Sequence, residues 1–541
     1  MKKRLPAFII AGLLVVFCAL AITQHPQSFY PVVEVEVTGT DKPLAFSFLF
    51  NSRNTLHNCE TLTGNIARAV LKHCPQCRVK LLQCEATLNE TQQAMFTDAP
   101  LTTASGRMAN GVILFHATSP ELALAICQST ETQAAAGNTP VKCYAANTLR
   151  TKPAVQSILS SWSFVLLLTA FATAWFVGWL IVKYEHLHAH LSHDHVDSGP
   201  QKYHAEPIPR IGGLAVMVGL LAALSTTVFV ENATIPNLAL GTHPTALNFG
   251  LLLLAAIPAF LGGLVEDITK KVGVLERLLL TMLAGSLAAW LLGVTLQRLD
   301  MGGVYSNLVS IAPAIAVIFT LFAVGGIANA INIIDGYNGL AAGFAVIVLA
   351  AMAYVAYVVG DSLIFSTSLA LAGALLGFLA WNWPGGKIFL GDGGAYLTGF
   401  ILAELSVLLV ARNPSVSAWF PMLLLIYPVF ETFYSIYRRK FENGLSPGQP
   451  DNMHLHQLIH DNIVSHQAHL GTRLSKLDAN NRVAKYLWIP AIATSVLGCI
   501  FWQTTNVLIG LAIAYCVAYV VCYRMISRED APENSQKHKT V

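Results

Sequence analysis

The stretch Ala246-Leu-Asn-Phe-Gly-Leu-Leu-Leu-Leu-Ala-Ala-Ile-Pro-Ala-Phe-Leu-Gly-Gly-Leu-Val-Glu266-Asp267 decides what kind of molecule this is. Between Ala246 and Val265 the only polar side chain is Asn248, and the run then stops at two adjacent carboxylates. A helix of about 20 such residues spans the roughly 30 Å of hydrocarbon in a bilayer. Comparable runs lie at about 7–23, 160–183, 211–230, 277–294, 307–328, 339–358, 363–381, 394–411, 416–434, 487–504 and 507–526. The chain is therefore expected to be an all-α polytopic membrane protein with about twelve transmembrane helices. Composition agrees: 54% of the 541 residues are hydrophobic and 12% charged, too apolar for an ordinary soluble domain.

Orientation follows from the basic residues, which stay on the cytoplasmic side of a membrane segment. Lys2, Lys3 and Arg4 precede the first run. Alternation then puts Lys270, Lys271, Arg277, Arg438, Arg439, Lys440, Arg473, Lys476, Arg482 and Lys485 in cytoplasmic loops. The short loops of the opposite side hold only Arg298 and Arg412. The net charge of +3 mostly reflects this bias and points to no nucleic-acid surface. Residues 1–23 read as an N-terminal signal anchor, or as a signal peptide cleaved after Ala19-Leu20-Ala21.

Between 24 and 158 the chain is polar and offers no spanning run, which predicts a separate domain on the far, periplasmic side. Alternation in Val32-Val33-Glu34-Val35-Glu36-Val37 predicts a half-buried strand, and Gly111-Val112-Ile113-Leu114-Phe115 a buried one. Residues 61–72 and 119–128 read as helical, so a small α+β fold is expected. Cys59, Cys74, Cys77, Cys84, Cys127 and Cys143 form an even set suited to disulfides in an oxidising compartment. Cys74-Pro-Gln-Cys77 also has redox or metal-pair spacing. The histidines of Glu185–His195 read as a polar interfacial segment or a divalent-ion site. Residues 159–527 make the membrane domain, and 528–541 a charged cytoplasmic tail without a core.

Four polar clusters stand at span ends, all assigned to the cytoplasmic face: Glu266-Asp267; Asn329, Asn332, Asp335 and Asn338; Asp392 within Gly391-Asp392-Gly393-Gly394; and His454, His456 and His460. Ionisable groups at membrane depth are costly, so their convergence points to function. Several carboxylates without a thiol favour a hard cation such as Mg²⁺. Mg²⁺ in turn suits phosphate chemistry, because it bridges phosphate oxygens.

Five stretches in order resemble the polyprenyl-phosphate N-acetylhexosamine-1-phosphate transferase family, which also includes the phospho-MurNAc-pentapeptide transferases. They are Lys202-Tyr-His204-Ala-Glu-Pro207-Ile-Pro209-Arg210-Ile-Gly212-Gly213, Gly263-Leu-Val-Glu266-Asp267, Asn329-Ala-Ile-Asn332-Ile-Ile-Asp335-Gly336, Phe389-Leu-Gly391-Asp392 and Ser446-Pro447-Gly-Gln-Pro450-Asp451-Asn-Met-His454-Leu-His456. Departures occur at Glu266, where the family has a second Asp, and at Asn338, Asn452, Gln457 and Lys270. The exported domain has no counterpart in the family core.

The resemblance implies an eleven-helix transferase core after the N-terminal anchor, in a bacterial inner membrane. It implies transfer of a HexNAc-1-phosphate, of GlcNAc type, from a UDP-amino sugar to polyprenyl phosphate, with UMP released. Asp267, Glu266 and Asp392 are the implied catalytic residues, and Asp392 and Asp267 the implied ligands of Mg²⁺, or of Mn²⁺ in its place. Lys202, His204, Asn332, Asp335, Asn338, His454, His456 and His460 are the implied substrate-binding residues. Phospho-MurNAc-pentapeptide transfer is the alternative within the family; a sensor or a lipid transporter is the alternative outside it. A homodimer and a periplasmic partner of residues 24–158 also fit the sequence.

Overall fold

The computed structural model describes residues 30–38, 44–50, 63–64, 67–68, 76–85, 103–108, 111–117, 119–136, 142–146, 154–192, 208–234, 244–301, 304–413, 415–442, 444, 451, 453–469 and 475–529. The expected anchor at 7–23, Lys202, His204 and the tail beyond 529 lie outside them.

The polar N-terminal region forms strands β1 (Tyr30–Val37), β2 (Leu44–Phe50), β3 (Cys77–Glu85), β4 (Ala104–Met108), β5 (Gly111–His116) and β6 (Lys142–Tyr144). They pair antiparallel in the order β3-β1-β2-β5-β4-β6. Val33 and Val35 of β1 are buried and Glu36 is exposed, as the alternation predicts. Helix α1 (Pro120–Ala136) packs on β4, β5 and β6, and a Cys127–Cys143 disulfide ties it to β6. Cys77 and Cys84 are also disulfide-bonded. The α+β expectation for this region holds.

Helices follow: α2 (Ala154–Lys183), α3 (Glu185–Ser192), α4 (Gly212–Thr234), α5 (Pro244–Thr269), α6 (Val274–Leu292), α7 (Val304–Ile311), α8 (Ala314–Ile334) and α9 (Leu340–Val359). Then come α10 (Ser362–Asn382), α11 (Gly391–Arg412), α12 (Trp419–Leu424), α13 (Ile426–Tyr437), α14 (Leu455–His469), α15 (Lys476–Phe501) and α16 (Thr505–Glu529). Among the described residues, ten helices are long and apolar enough to cross a membrane: α2, α4, α5, α6, α8, α9, α10, α11, α15 and α16.

Two expected spans differ in form. The run at 307–328 divides into α7 and α8 around Pro313, and α8 continues to Ile334, so Asn329 and Asn332 lie within its last turns. The run at 416–434 breaks at Leu425 into α12 and α13. Pro428 explains this break, since it has no N–H for the Leu424 carbonyl and its ring crowds that carbonyl. Broken backbone is tolerated at membrane depth where protein covers it.

Helix α11 is the axis of the bundle, with every residue from Gly391 to Val410 buried. It packs on α4, α5 and α8. Small residues permit close approach elsewhere too: Gly373 and Gly377 of α10 face the backbone of Leu167 and Phe171 on α2. At one end of the bundle, Arg298 and Arg412 are both neutralised, by Asp300 at 2.6 Å and by Asp361 at 2.7 Å. The four polar clusters gather at the other end, as alternation of the helices requires.

Candidate active site

Gly391 opens α11 with φ +74°, a conformation that favours glycine, and a Cβ there would also strike Asp267 Oδ2 at 2.6 Å. The preceding residues pair like a strand with the segment before α4. Phe389 N–H donates to the Pro209 carbonyl at 2.8 Å, and the N–H groups of Gly212 and Gly213 donate to the carbonyls of Phe389 and Leu390 at 2.9 Å. This pairing brings Arg210 beside the start of α11. Gly263 of α5 lets that helix reach the same turn, where a Cβ would stand 2.5 Å from the Asp392 carbonyl and the Gly393 nitrogen.

The carboxylate of Asp267 closes the assembly. Its Oδ1 accepts the Asp392 N–H and its Oδ2 the Gly393 N–H, both at 2.9 Å, and the side chain is 1% exposed. An anion accepting the first free amides of a helix is the favoured termination of that helix. Asp267 thus fixes Asp392, which itself contacts three other elements. Oδ2 of Asp392 forms an ion pair with Arg277 of α6. Its Oδ1 accepts from Asn332 Nδ2 at 3.0 Å and lies 3.6 Å from an Arg210 guanidinium nitrogen. Arg210 Nε is 3.8 Å from Asp267. The Arg277 guanidinium also lies 5.8 Å from the Tyr396 ring, whose hydroxyl donates to Asn329 Oδ1 at 2.8 Å.

Asp335, just past α8, completes the carboxylate group. Although its surface is only partly covered, its carboxyl is pushed up to about 8. Burial is the largest cause, Arg210 opposes it, and Asp392 and Asp267 add to it. Glu266 turns away to a different task, accepting the Val272 N–H at 2.7 Å and so holding the turn between α5 and α6. Asn338 is 1% exposed. Its N–H donates to Asn480 at 2.8 Å and its side chain to Asn481 at 3.2 Å, which ties the loop after α8 to α15.

The histidine loop stands beside Tyr337. The His456 and His460 rings lie 5.6 and 5.3 Å from that of Tyr337, and His454 and His456 stack at 5.4 Å. His456 is 2% exposed, and burial, helped by His454, pushes its pKa down to about 3, so it is neutral near pH 7. His460 bonds Asp461 at 3.1 Å. In α3, His188 Nε2 lies 3.0 Å from the Ile181 carbonyl, while His193 and His195 fall outside the described residues. Among the described residues, no three or more His, Cys, Asp or Glu side chains are grouped to hold a metal ion.

Sequence reasoning thus found Asp267, Asn332, Asp335 and Asp392 together. It did not single out Arg210, Arg277 or Glu431 as site residues. Arg210 carried a signal within the quoted stretch Lys202–Gly213, Arg277 as a basic residue shortly after Glu266-Asp267, and Glu431 as a lone acid in an apolar run.

Residues 249–410 match the family model described as glycosyl transferase family 4. A probable undecaprenyl-phosphate N-acetylglucosaminyl 1-phosphate transferase of Bacillus subtilis is 30% identical over 276 residues, covering 49% of this chain and 70% of the relative. A decaprenyl-phosphate N-acetylglucosaminephosphotransferase of Mycolicibacterium smegmatis is 30% identical over 373 residues, covering 62% and 82%. A phospho-N-acetylmuramoyl-pentapeptide-transferase of Streptococcus pneumoniae is 33% identical over 230 residues, covering 41% and 64%.

Proposed function

The chain belongs to glycosyl transferase family 4, and on that premise we propose that it moves an N-acetylhexosamine 1-phosphate, of GlcNAc type, from a UDP-sugar to polyprenyl phosphate. A single observation carries this reading: Asp267, Asn332, Asp335 and Asp392, from α5, α8 and α11, meet Arg210 and Arg277 at one end of a membrane bundle. Carboxylates, amides and guanidinium groups on a shared face suit a diphosphate and a phosphate monoester held together.

In the proposed reaction an oxygen of the lipid phosphate attacks the phosphorus that bears the sugar. The bond from that phosphorus to the UMP oxygen breaks, giving UMP and a polyprenyl-diphospho-sugar. The attacking phosphate is already ionised near neutrality, so no base is required, and positioning with charge neutralisation supplies the rate. Arg210 and Arg277 hold phosphate oxygens, Arg277 exchanging Asp392 for substrate as it does so. Asn332 keeps Asp392 oriented, and Asp267 holds the turn on which Asp392 sits. His454 supports the diphosphate, with the His456 ring stacked beside it.

Hard oxygen donors and mutually repelling carboxylates fit a divalent cation, and Mg²⁺ needs only one or two protein carboxylates beside substrate phosphates and water. Asp392 would hold it, with Asp335 adjacent. Both Asp267 oxygens already accept amide hydrogens, which argues for a positioning role there. Bound Mg²⁺ supplies neutralisation of the phosphate oxygens. The disulfide-bonded sheet region supports a periplasmic setting for residues 24–158, with the site on the cytoplasmic side of a bacterial inner membrane.

The test is incubation of purified protein with polyprenyl phosphate, Mg²⁺ and a panel of UDP-amino sugars, scoring UMP and lipid product together. UDP-GlcNAc is expected to turn over, and Asp392→Ala to abolish it. Parental UMP release by Asp392→Ala, or no turnover with any donor, removes the assignment.

A further inference from the structure

A second buried carboxylate lies beside the histidine loop. Glu431 stands on α13, just past the break at Leu425, and is 1% exposed. Three donors converge on it. Its Oε1 accepts from His454 Nδ1 at 2.9 Å and from the Leu455 N–H at 3.2 Å, and its Oε2 from the Tyr519 hydroxyl at 2.7 Å. Leu455 and Tyr519 also line an apolar pocket of about 110 Å³ beside α12, α15 and α16; in such surroundings the three donors offset the cost of the buried charge.

Leu455 is the first residue of α14, so one carboxylate holds both the start of that helix and the His454 ring. Ionised carboxylates only accept, so Nδ1 of His454 carries the hydrogen. Nε2 lies 3.9 Å from Asp451 Oδ2, beyond hydrogen-bond reach. Asp451 is itself held by Arg438, by the Ser435 hydroxyl at 3.0 Å and by the Met453 N–H at 3.1 Å. Burial pushes the Asp451 carboxyl up, but Arg438 and His454 outweigh this and hold it below the usual range. His454 therefore stands between two carboxylates. His456 differs, its Nδ1 facing the Tyr427 hydroxyl at 3.4 Å.

We infer that Glu431 is a positioning residue: by accepting Nδ1–H it fixes the tautomer and orientation of the His454 ring, and by accepting the Leu455 N–H it fixes the first turn of α14, so that the Nε2 edge of His454 is the one presented to the substrate. The neighbouring His456 is a neutral spacer stacked on that ring. The inference rests on the proposed role of His454 at the diphosphate. It goes further by dividing the labour between the two histidines and by naming the group that sets it.

The experiment combines kinetics with ¹⁵N NMR of histidine-labelled full-length protein, using a His454→Gln sample to assign the resonance. Glu431→Gln leaves an amide nitrogen against one of the three donors. Its kcat is expected to fall roughly 10- to 100-fold, with a smaller change in KM, and the Nδ1–H signature of His454 to be lost. Tyr519→Phe removes one bond and is expected to move both readouts the same way by less, which keeps the test decisive should Glu431→Gln not fold. Glu431→Asp should restore part of the rate. An unchanged His454 signature, or parental kcat in a folded Glu431→Gln protein, overturns the inference. Absence of UMP release from the parent protein would instead remove the transfer reading, while the NMR signature would still decide whether Glu431 governs His454.

Discussion

Replacing Asp267 with Asn separates two roles that a carboxylate in this position could have. In the structure each oxygen of Asp267 accepts one amide hydrogen from the first turn of α11, at 2.9 Å. Asn keeps one acceptor and turns an NH₂ group against the other N–H. One charge-assisted bond is lost, about 1.5–3 kcal/mol, and one buried amide is left unpaired, about 1–3 kcal/mol more. A destabilisation of roughly 2.5–6 kcal/mol follows before relaxation. Asp392 sits on that turn, and displacement by about 1 Å can cost about a hundredfold in rate. Asp267→Asn is therefore expected to lower both the thermal unfolding midpoint in detergent and kcat for UMP release. A collapse of kcat with an unchanged midpoint would refute the helix-cap role and return Asp267 to direct chemistry. Parental values of both would show that the two bonds do nothing.

Two further outcomes follow from the same geometry. Arg277→Ala removes the guanidinium paired with Asp392 and is expected to reduce kcat/KM by roughly 10- to 150-fold, the equivalent of one charge-assisted bond of about 1.5–3 kcal/mol; Arg277→Lys should recover only part, and steady-state kinetics with varied UDP-sugar checks both. His456 has a folded pKa of about 3 against an ordinary 6.5, so its contribution to stability is intact above pH 6.5 and declines as pH falls toward 3. The slope is about 1.4 kcal/mol per pH unit below 6.5, visible as a fall in melting temperature from pH 7.5 to 5 that His456→Gln should flatten.

Much of the fold was legible because the bilayer imposes a length and a polarity on every crossing. Nine of the expected spans appear as single continuous helices, and the two divided ones trace to proline. Pro313 separates α7 from α8, and Pro428 divides α12 from α13. Both residues were visible, yet their effect depends on whether neighbouring helices cover the broken backbone. The acidic residues of the site were legible as ionisable groups in an apolar solvent. Their partners were not, because Arg277 meets Asp392 across 115 positions and Tyr519 meets Glu431 across 88. Asn338 carries a contact the sequence did not announce: its N–H and side-chain amide donate to Asn480 and Asn481, while its side-chain oxygen has no hydrogen-bond partner among the described residues.

The sequence by itself determined the solvent of this protein, the approximate number of crossings and the kind of chemistry its acids could serve. All of these follow from the summed transfer energies of side chains near one another in the chain. Tertiary structure alone decided which carboxylates pair with guanidinium groups and which accept the first amides of helices. Asp267 and Glu431 spend their charge on the first turns of α11 and α14, and Asp392 and His454 inherit their orientation from them. A hydrogen bond has direction and a reach of about 3 Å, so its partners are chosen only when distant segments are packed together.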